Sequence, residues 1–393
     1  MSSEEPGIEE VGWAVEEYAE VDLKDRRLER RCQELAETFG KQPAVSINQA
    51  CEDWADSKAA YRFMSNEKVS SGKLLEPHVK RTVERMKNYP TVLAIQDTTF
   101  LNFTGHPKTQ GWGVIGPKKQ NQRGFGLHST LVVTPQGQPL GLLTQTELER
   151  PVDKPGLKPG EATKQPIEEK ESYRWVQTFE KIIPLSPAGV QVITICDREA
   201  DIYEMFVLAE KHCAPLLIRA DSDRSLHDDE VAHLWPKVEQ QPIQGELSVH
   251  ITGNHKRQER QAVVSIRYCT LQLRPPWRPE KKKLPVVRLQ AILVREENPP
   301  ENLAELGNHE PIEWMLLTNI SVTHFDEAIQ VVEGYCRRWQ IEVFHKILKS
   351  GCRIEQSLLQ TAKRLQNYIA LMCVIAWRLH WLTFINRTDP DLP

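Results

Sequence analysis

Residues 335–349 read YCRRWQIEVFHKILK, and the chemically loaded members Tyr335, Arg338, Glu342 and Lys349 are spaced three, four and seven apart. On one continuous helix, at 100° per residue, those steps put all four within roughly a 60° stripe. The opposite face carries Ile341, Phe344, Ile347 and Leu348, an ordinary core-facing set. A carboxylate, a guanidinium, an ammonium and a phenol in one stripe suit a divalent cation held beside phosphates: the carboxylate ligates, and the others grip backbone oxygens. The competing reading is a solvated face with an i,i+4 pair between Arg338 and Glu342, worth only about 0.3 to 0.5 kcal/mol.

One carboxylate cannot hold the cation alone, and two partners stand upstream on apolar runs with the character of buried strands. Asp97 closes TVLAIQD and is followed by Thr98 and Thr99; Asp197 closes VQVITICD and leads into READIYE. A lone aspartate at a strand end is more often a turn or cap residue than a ligand. In an open α/β sheet, however, sites collect at strand ends, where the two could converge with Glu342 around one or two ions. Such a constellation suits phosphoryl transfer.

At 393 residues the chain implies two or three domains, and 40% hydrophobic with 26% charged residues describes an ordinary globular protein. The net charge of -4 hides local asymmetry, since KDRRLERR (24–31) has five basic residues against two acidic ones. Local patches, not the total, set the footprint on DNA. The eight cysteines form no Cys-x2-Cys pair, which argues against a zinc knuckle or disulfide framework. MSSEEPGIEE at the start lacks the apolar stretch of a secretory signal. The run 365–385 is apolar enough to raise the membrane question, but Asn367, Tyr368, Arg378 and His380 favour a buried helix, so no membrane is expected and the compartment is cytosolic.

Residues 1–88 read as helical, with breaks at Gly40, Pro43 and Gly72, and Arg26, Arg27, Arg30 and Arg31 lie around one side of a helix whose Leu28 and Leu35 face inward. Arginines in that number fit phosphate recognition, although a solvated charged face is the commoner cause. Strands TVLAIQD, GLHSTLVVT and PLGLLTQ follow, the last two joined by a Thr134-Pro135-Gln136-Gly137 turn. A polar connection covers 150–164, and helices are expected over 168–183 and from Asp197 to about Lys211. The order of strands, helices and carboxylates looks like an α/β fold with an RNase H-like catalytic core, β-rich runs lying between Asp197 and Glu342 and a helical region at the N-terminus, which the family resemblance below makes an insertion subdomain and a DNA-binding domain. The boundaries fall at 1–88, 89–213, 214–322 and 323–393, the second and fourth segments making the core.

The signature Tyr335-x2-Arg338-x3-Glu342-x6-Lys349, with IQDTT around Asp97 and CDREADIYE around Asp197, resembles the DDE transposases of the insertion sequence four family. LKDRRLERR, AAYRFMSN, GLHSTLVVTPQGQPLGLL, EKESYRW and EWMLLTN extend the likeness, in order, over nearly the whole chain. The resemblance implies that Asp97, Asp197 and Glu342 hold two magnesium ions, with manganese as a substitute, for cut-and-paste transposition through a DNA hairpin. It implies that Tyr335, Arg338 and Lys349 fix the phosphate, with Trp339, His345 and Lys346 as lesser contacts. Trp314 would receive a flipped base, Arg219 would touch DNA, and the arginines of the first domain, Arg26, Arg27 and Arg30 among them, would bind transposon-end double-stranded DNA. Lys281, Lys282 and Lys283 could touch flanking DNA or be a solvated turn. Relatives act on end and target DNA as homodimers on paired ends, in the bacterial cytoplasm at the nucleoid. Because only NRTDPDLP follows the apolar helix, the pairing segment is expected to be largely missing. An end-binding inhibitor and an RNase H-type nuclease are the alternative readings.

Overall fold

The computed structural model describes residues 12–106, 113–116, 122–148, 165–227, 230–251, 258–277, 283–303, 305 and 310–389. Five helices open the chain: α1 (Trp13–Glu17), α2 (Arg26–Lys41), α3 (Ile47–Ala50), α4 (Trp54–Ser65) and α5 (Ser71–Met86). Asp25, Asp53 and Ser70 cap α2, α4 and α5 by accepting backbone N–H groups of the first turn. Gly72 therefore sits inside the first turn of α5 and breaks nothing.

Then come β1 (Thr91–Asn102), β2 (Gly113–Ile115), β3 (Gln122–Val133), β4 (Pro139–Leu148), α6 (Tyr173–Ile182), β5 (Gln191–Cys196), α7 (Tyr203–His212), β6 (Leu216–Arg219) and α8 (Leu234–Glu239). After them follow β7 (Gly245–Ile251), β8 (Arg260–Leu273), β9 (Val287–Arg295), β10 (Glu313–Thr318), α9 (Phe325–Cys336), α10 (Gln340–Lys346) and α11 (Ala362–Thr388). The expected turn forms where Pro135 and Gly137 place it: Gly137 N–H donates to Thr134 O at 2.8 Å, and Gly137 has φ +96°.

The ten strands among the described residues share one sheet, in the order β2-β3-β1-β5-β6-β10-β9-β8-β7, with β4 also pairing β3. β1, β3 and β4 are antiparallel, whereas β5 and β6 run parallel to β1. The β-rich strands between Asp197 and Glu342 extend this sheet, because β10 pairs antiparallel with β6. A boundary at 214 thus crosses the ladder at β6, which hydrogen-bonds to β5 on one side and β10 on the other.

One face of β1, through Leu93 and Ile95, packs in a core shared with α2, α4 and α9–α11. The other, through Val92 and Ala94, meets Ile182 of α6 and Met86 of α5. α11 has the length and apolar content of a membrane span, but residues 365 to 377 are mostly buried against the protein's own α2, α4, α5 and β4. Contact with α5 is close: Gly141 of β4 has φ +150°, and a Cβ there would stand 1.9 Å from Thr82 Oγ1.

Candidate active site

The sheet register draws the two aspartates together. β1 pairs parallel with β5 as far as Ile95 opposite Ile195, and Asp97 and Asp197 each follow two residues beyond that last pair. Asp97 is also directly opposite Ser129 of β3, which is opposite Gln145 of β4. Side chains of paired residues share a face, so Gln145, Ser129 and Asp97 form a polar row beneath α9 and α10. Asp97 lies within β1 and does not end it. β3 supplies ladder partners as far as Asn102, and the polar Asp-Thr-Thr only imitates a strand end.

The segment 335–349 is not one uniform helix. α9 stops at Cys336, residues 337–339 tighten into a 3₁₀ turn, and residues 347–351 widen into a π turn after α10. Tertiary contacts override the simple period at both places. Arg337 Nε donates to Pro135 O of the β3–β4 turn at 2.8 Å, and Lys349 Nζ donates to Phe100 O of β1 at 2.9 Å. Such π turns in helices are frequent at functional sites. The inward set holds: Ile341, Phe344 and Leu348 are buried, and Ile347 packs against them.

Arg338 sits between two of the carboxylates, paired with Glu342 and 3.9 Å from Asp97 Oδ2. Burial pushes the Asp97 carboxyl up to about 7; Thr98 N–H and Arg338 pull it down, and the negative charges of Asp197 and Glu342 push it further up. The side chains of Asp97 and Glu342 are 18% and 55% exposed, so the site opens from the sheet toward solvent at Glu342. Thr98 N–H donates to Asp97 Oδ1 at 2.8 Å, and Glu199 N–H donates to Asp197 Oδ1 at 2.9 Å. Among the described residues, no three side chains of metal-ligating type already stand close enough to share an ion. The donor chemistry still fits a hard divalent cation: half-buried Asp97 feels the negative charge of both Asp197 and Glu342, and a single guanidinium offsets two of the three acids.

Tyr335 is buried and packs edge-on to Trp314, ring centroids 5.4 Å apart; burial pushes its phenol up. Arg219 donates to Glu313 O at 2.9 Å and hydrogen-bonds Tyr335, and burial lowers its pKa. Tyr335, Trp314 and Arg219 thus form one cluster on the β6–β10 side of the site. Trp339 is half-buried and Lys346 exposed. His345, expected as a lesser DNA contact, is turned inward with 6% exposure, and burial followed by Lys349 lowers it to about 3. It is a neutral core residue in this structure. Arg26, Arg27 and Arg30 are exposed on α2, whereas Arg31 is tied to Glu34 and Asp56. Residues 150–164, Lys281 and Lys282 lie outside the described residues.

A polar layer on the opposite face of the sheet gave no separate signal in the sequence. Arg174 of α6 donates to Thr98 Oγ1 at 3.0 Å and to Glu199 Oε2 at 2.5 Å. Thr98 Oγ1 is 2.8 Å from His128 Nδ1, and His128 Nε2 is 3.2 Å from Gln96 Oε1. Burial, then Arg174, holds His128 down to about 3. Neutral His128 thus accepts from Thr98 and donates to Gln96.

Carboxylates near the middle of a mixed sheet, beside the basic segment 337–349, have the chemistry that phosphoryl transfer requires. Residues 89–378 match the family described as the transposase DDE domain, and residues 10–69 match transposase DNA-binding. The chain belongs to the DDE transposases: it is a DNA transposase with a DNA-binding domain ahead of its DDE domain.

Proposed function

We propose that Asp97, Asp197 and Glu342 are the acidic triad of this transposase, and that it belongs to the insertion sequence four group by its Tyr335-x2-Arg338-x3-Glu342-x6-Lys349 signature. The observation that supports the reading is Arg338, paired with Glu342 and 3.9 Å from Asp97, beside an Asp97 that also feels the charge of Asp197, although the acids lie up to 245 residues apart in sequence (342 − 97). In this reading the five strands β4-β3-β1-β5-β6 are the RNase H-like core, and β7–β10 are the insertion that extends it.

Two magnesium ions, or manganese in their place, would supply activation of the attacking oxygen and stabilisation of the leaving oxygen. Asp97 and Asp197 are held for ligation by the backbone N–H groups of Thr98 and Glu199. Glu342 closes the set from the helix above. Arg338 offsets carboxylate charge here and, when DNA enters, exchanges that contact for a phosphate oxygen, as Tyr335 and Lys349 do beside it. Water displaces a 3′ oxygen at the transposon end; the freed hydroxyl attacks the opposite strand to form a hairpin; a second water opens it, and the end attacks target DNA. Each step is an in-line displacement at phosphorus, so one site serves all. The working form is a homodimer on paired ends, in the bacterial cytoplasm, with Trp314 receiving the flipped base.

The test is a short duplex carrying the element's own end, incubated with protein and magnesium. A 3′ nick followed by a hairpin is expected. Nicks without hairpins would assign an RNase H-type nuclease, and binding without nicks an end-binding inhibitor.

A further inference from the structure

The two aspartates are held in the same way, and a single side chain from beneath the sheet reaches both supports. Asp97 accepts from the N–H of Thr98, and Asp197 accepts from the N–H of Glu199. The side chains of those two supporting residues are both bound by Arg174, through Nε to Thr98 Oγ1 and through Nη2 to Glu199 Oε2. The third limb, Nη1, donates to Glu171 O at 3.0 Å, at the start of the helix that carries Arg174. Only 8% of the Arg174 side chain is exposed, and its guanidinium lies 5.5 Å from the Trp175 ring centroid. With Nε donating to Thr98, the Thr98 hydroxyl is left to donate to His128 Nδ1, which fixes the threonine rotamer from the other side.

We infer that Arg174 is a positioning residue that sets the spacing of Asp97 and Asp197, and so tunes how tightly the site holds divalent cations. This rests on the assignment of those aspartates as ligands. The physical reason is the planar fork. Three donors in fixed directions bind β1, the turn after β5 and the backbone of α6 at once, which a lysine ammonium on a flexible stem cannot reproduce. β1 and β5 pair directly only as far as Ile95 and Ile195, so beyond that point the two carboxylate-bearing segments rely on this bridge.

The experiment titrates the full chain with manganese chloride, reading free Mn²⁺ by electron paramagnetic resonance, with thermal unfolding and DNA binding as controls. Removing an outer-shell partner typically costs 10- to 100-fold in metal affinity, so Arg174→Met and Arg174→Lys should each weaken binding by about tenfold. Glu199→Gln keeps the buried guanidinium and loses one charged limb at the surface. It should weaken Mn²⁺ binding by a smaller factor while leaving the unfolding temperature unchanged. In a cleavage assay the same variants should need more metal for half-maximal rate and approach wild-type rate at saturation, a split that a merely folding-related defect would not produce. Asp97→Asn separates the two ideas. If it weakens Mn²⁺ binding while Arg174→Lys and Glu199→Gln leave it at the wild-type value, the positioning role is overturned and the ligand assignment stands. If Asp97→Asn has no effect, the ligand assignment itself fails.

Discussion

At the scale of single residues, the three acids proposed as the triad each carry a local marker in the sequence: two end apolar runs, and the third stands in a basic stripe. Arg174 had none. Its partners Thr98 and Glu199 are 76 and 25 residues away, and only the folded sheet brings them under one guanidinium. His345 faces inward for a related reason: helical spacing gives a direction but not which neighbours cover it, and β1 and β3 lie against α10. Trp314 belongs to this scale too. It is half-buried and packs edge-on to Tyr335. Trp314→Ala is expected to slow hairpin formation by roughly tenfold or more while barely changing first-strand nicking, since stacking is worth about 1 to 3 kcal/mol per base and nicking needs no flipped base. Single-turnover rates of both steps check this; equal loss at both marks a packing tryptophan.

Among the elements, the sequence located the helices and strands and erred on how they continue. The turn at residues 134–137 was readable from Pro135 and Gly137 because turn chemistry is local. The insertion was readable as β-rich, yet its union with the core sheet depends on β10 finding β6, a pairing between residues nearly a hundred apart. The changes of winding at 337–339 and 347–351 follow from contacts with the β3–β4 turn and with β1, which no periodicity contains.

Across the whole molecule, the DNA-binding end is fastened to the catalytic end by a buried polar knot. His78 of α5 accepts from Leu142 N–H at 2.9 Å and donates through Nδ1 to Glu17 of α1 at 2.5 Å. Arg85 binds Glu17 and Leu140 O, and its guanidinium lies over the Trp377 ring of α11. Burial alone would raise Glu17, but hydrogen bonds and charge from His78 and Arg85 bring it down to about 2, while burial lowers His78 below 6.5. Both groups are depressed in the folded state, so both contribute fully at neutral pH. His78 withdraws stability as pH falls below 6.5, and Glu17 does so between about 4.5 and 2. The Glu17 share is about 3 kcal/mol. Urea midpoints of wild type and Glu17→Gln, compared from pH 7 to pH 3, should differ most at pH 7 and converge in acid; a constant gap contradicts the linkage. The proposed catalytic site is also a whole-molecule property, since its acids come from β1, the turn after β5 and α10. The measurement that tests the central claim most directly is cleavage of end DNA in magnesium by Asp97→Ala, Asp197→Ala and Glu342→Ala, with DNA binding measured alongside. Each substitution is predicted to abolish nicking with binding nearly intact; near wild-type nicking by any one of the three would contradict the triad.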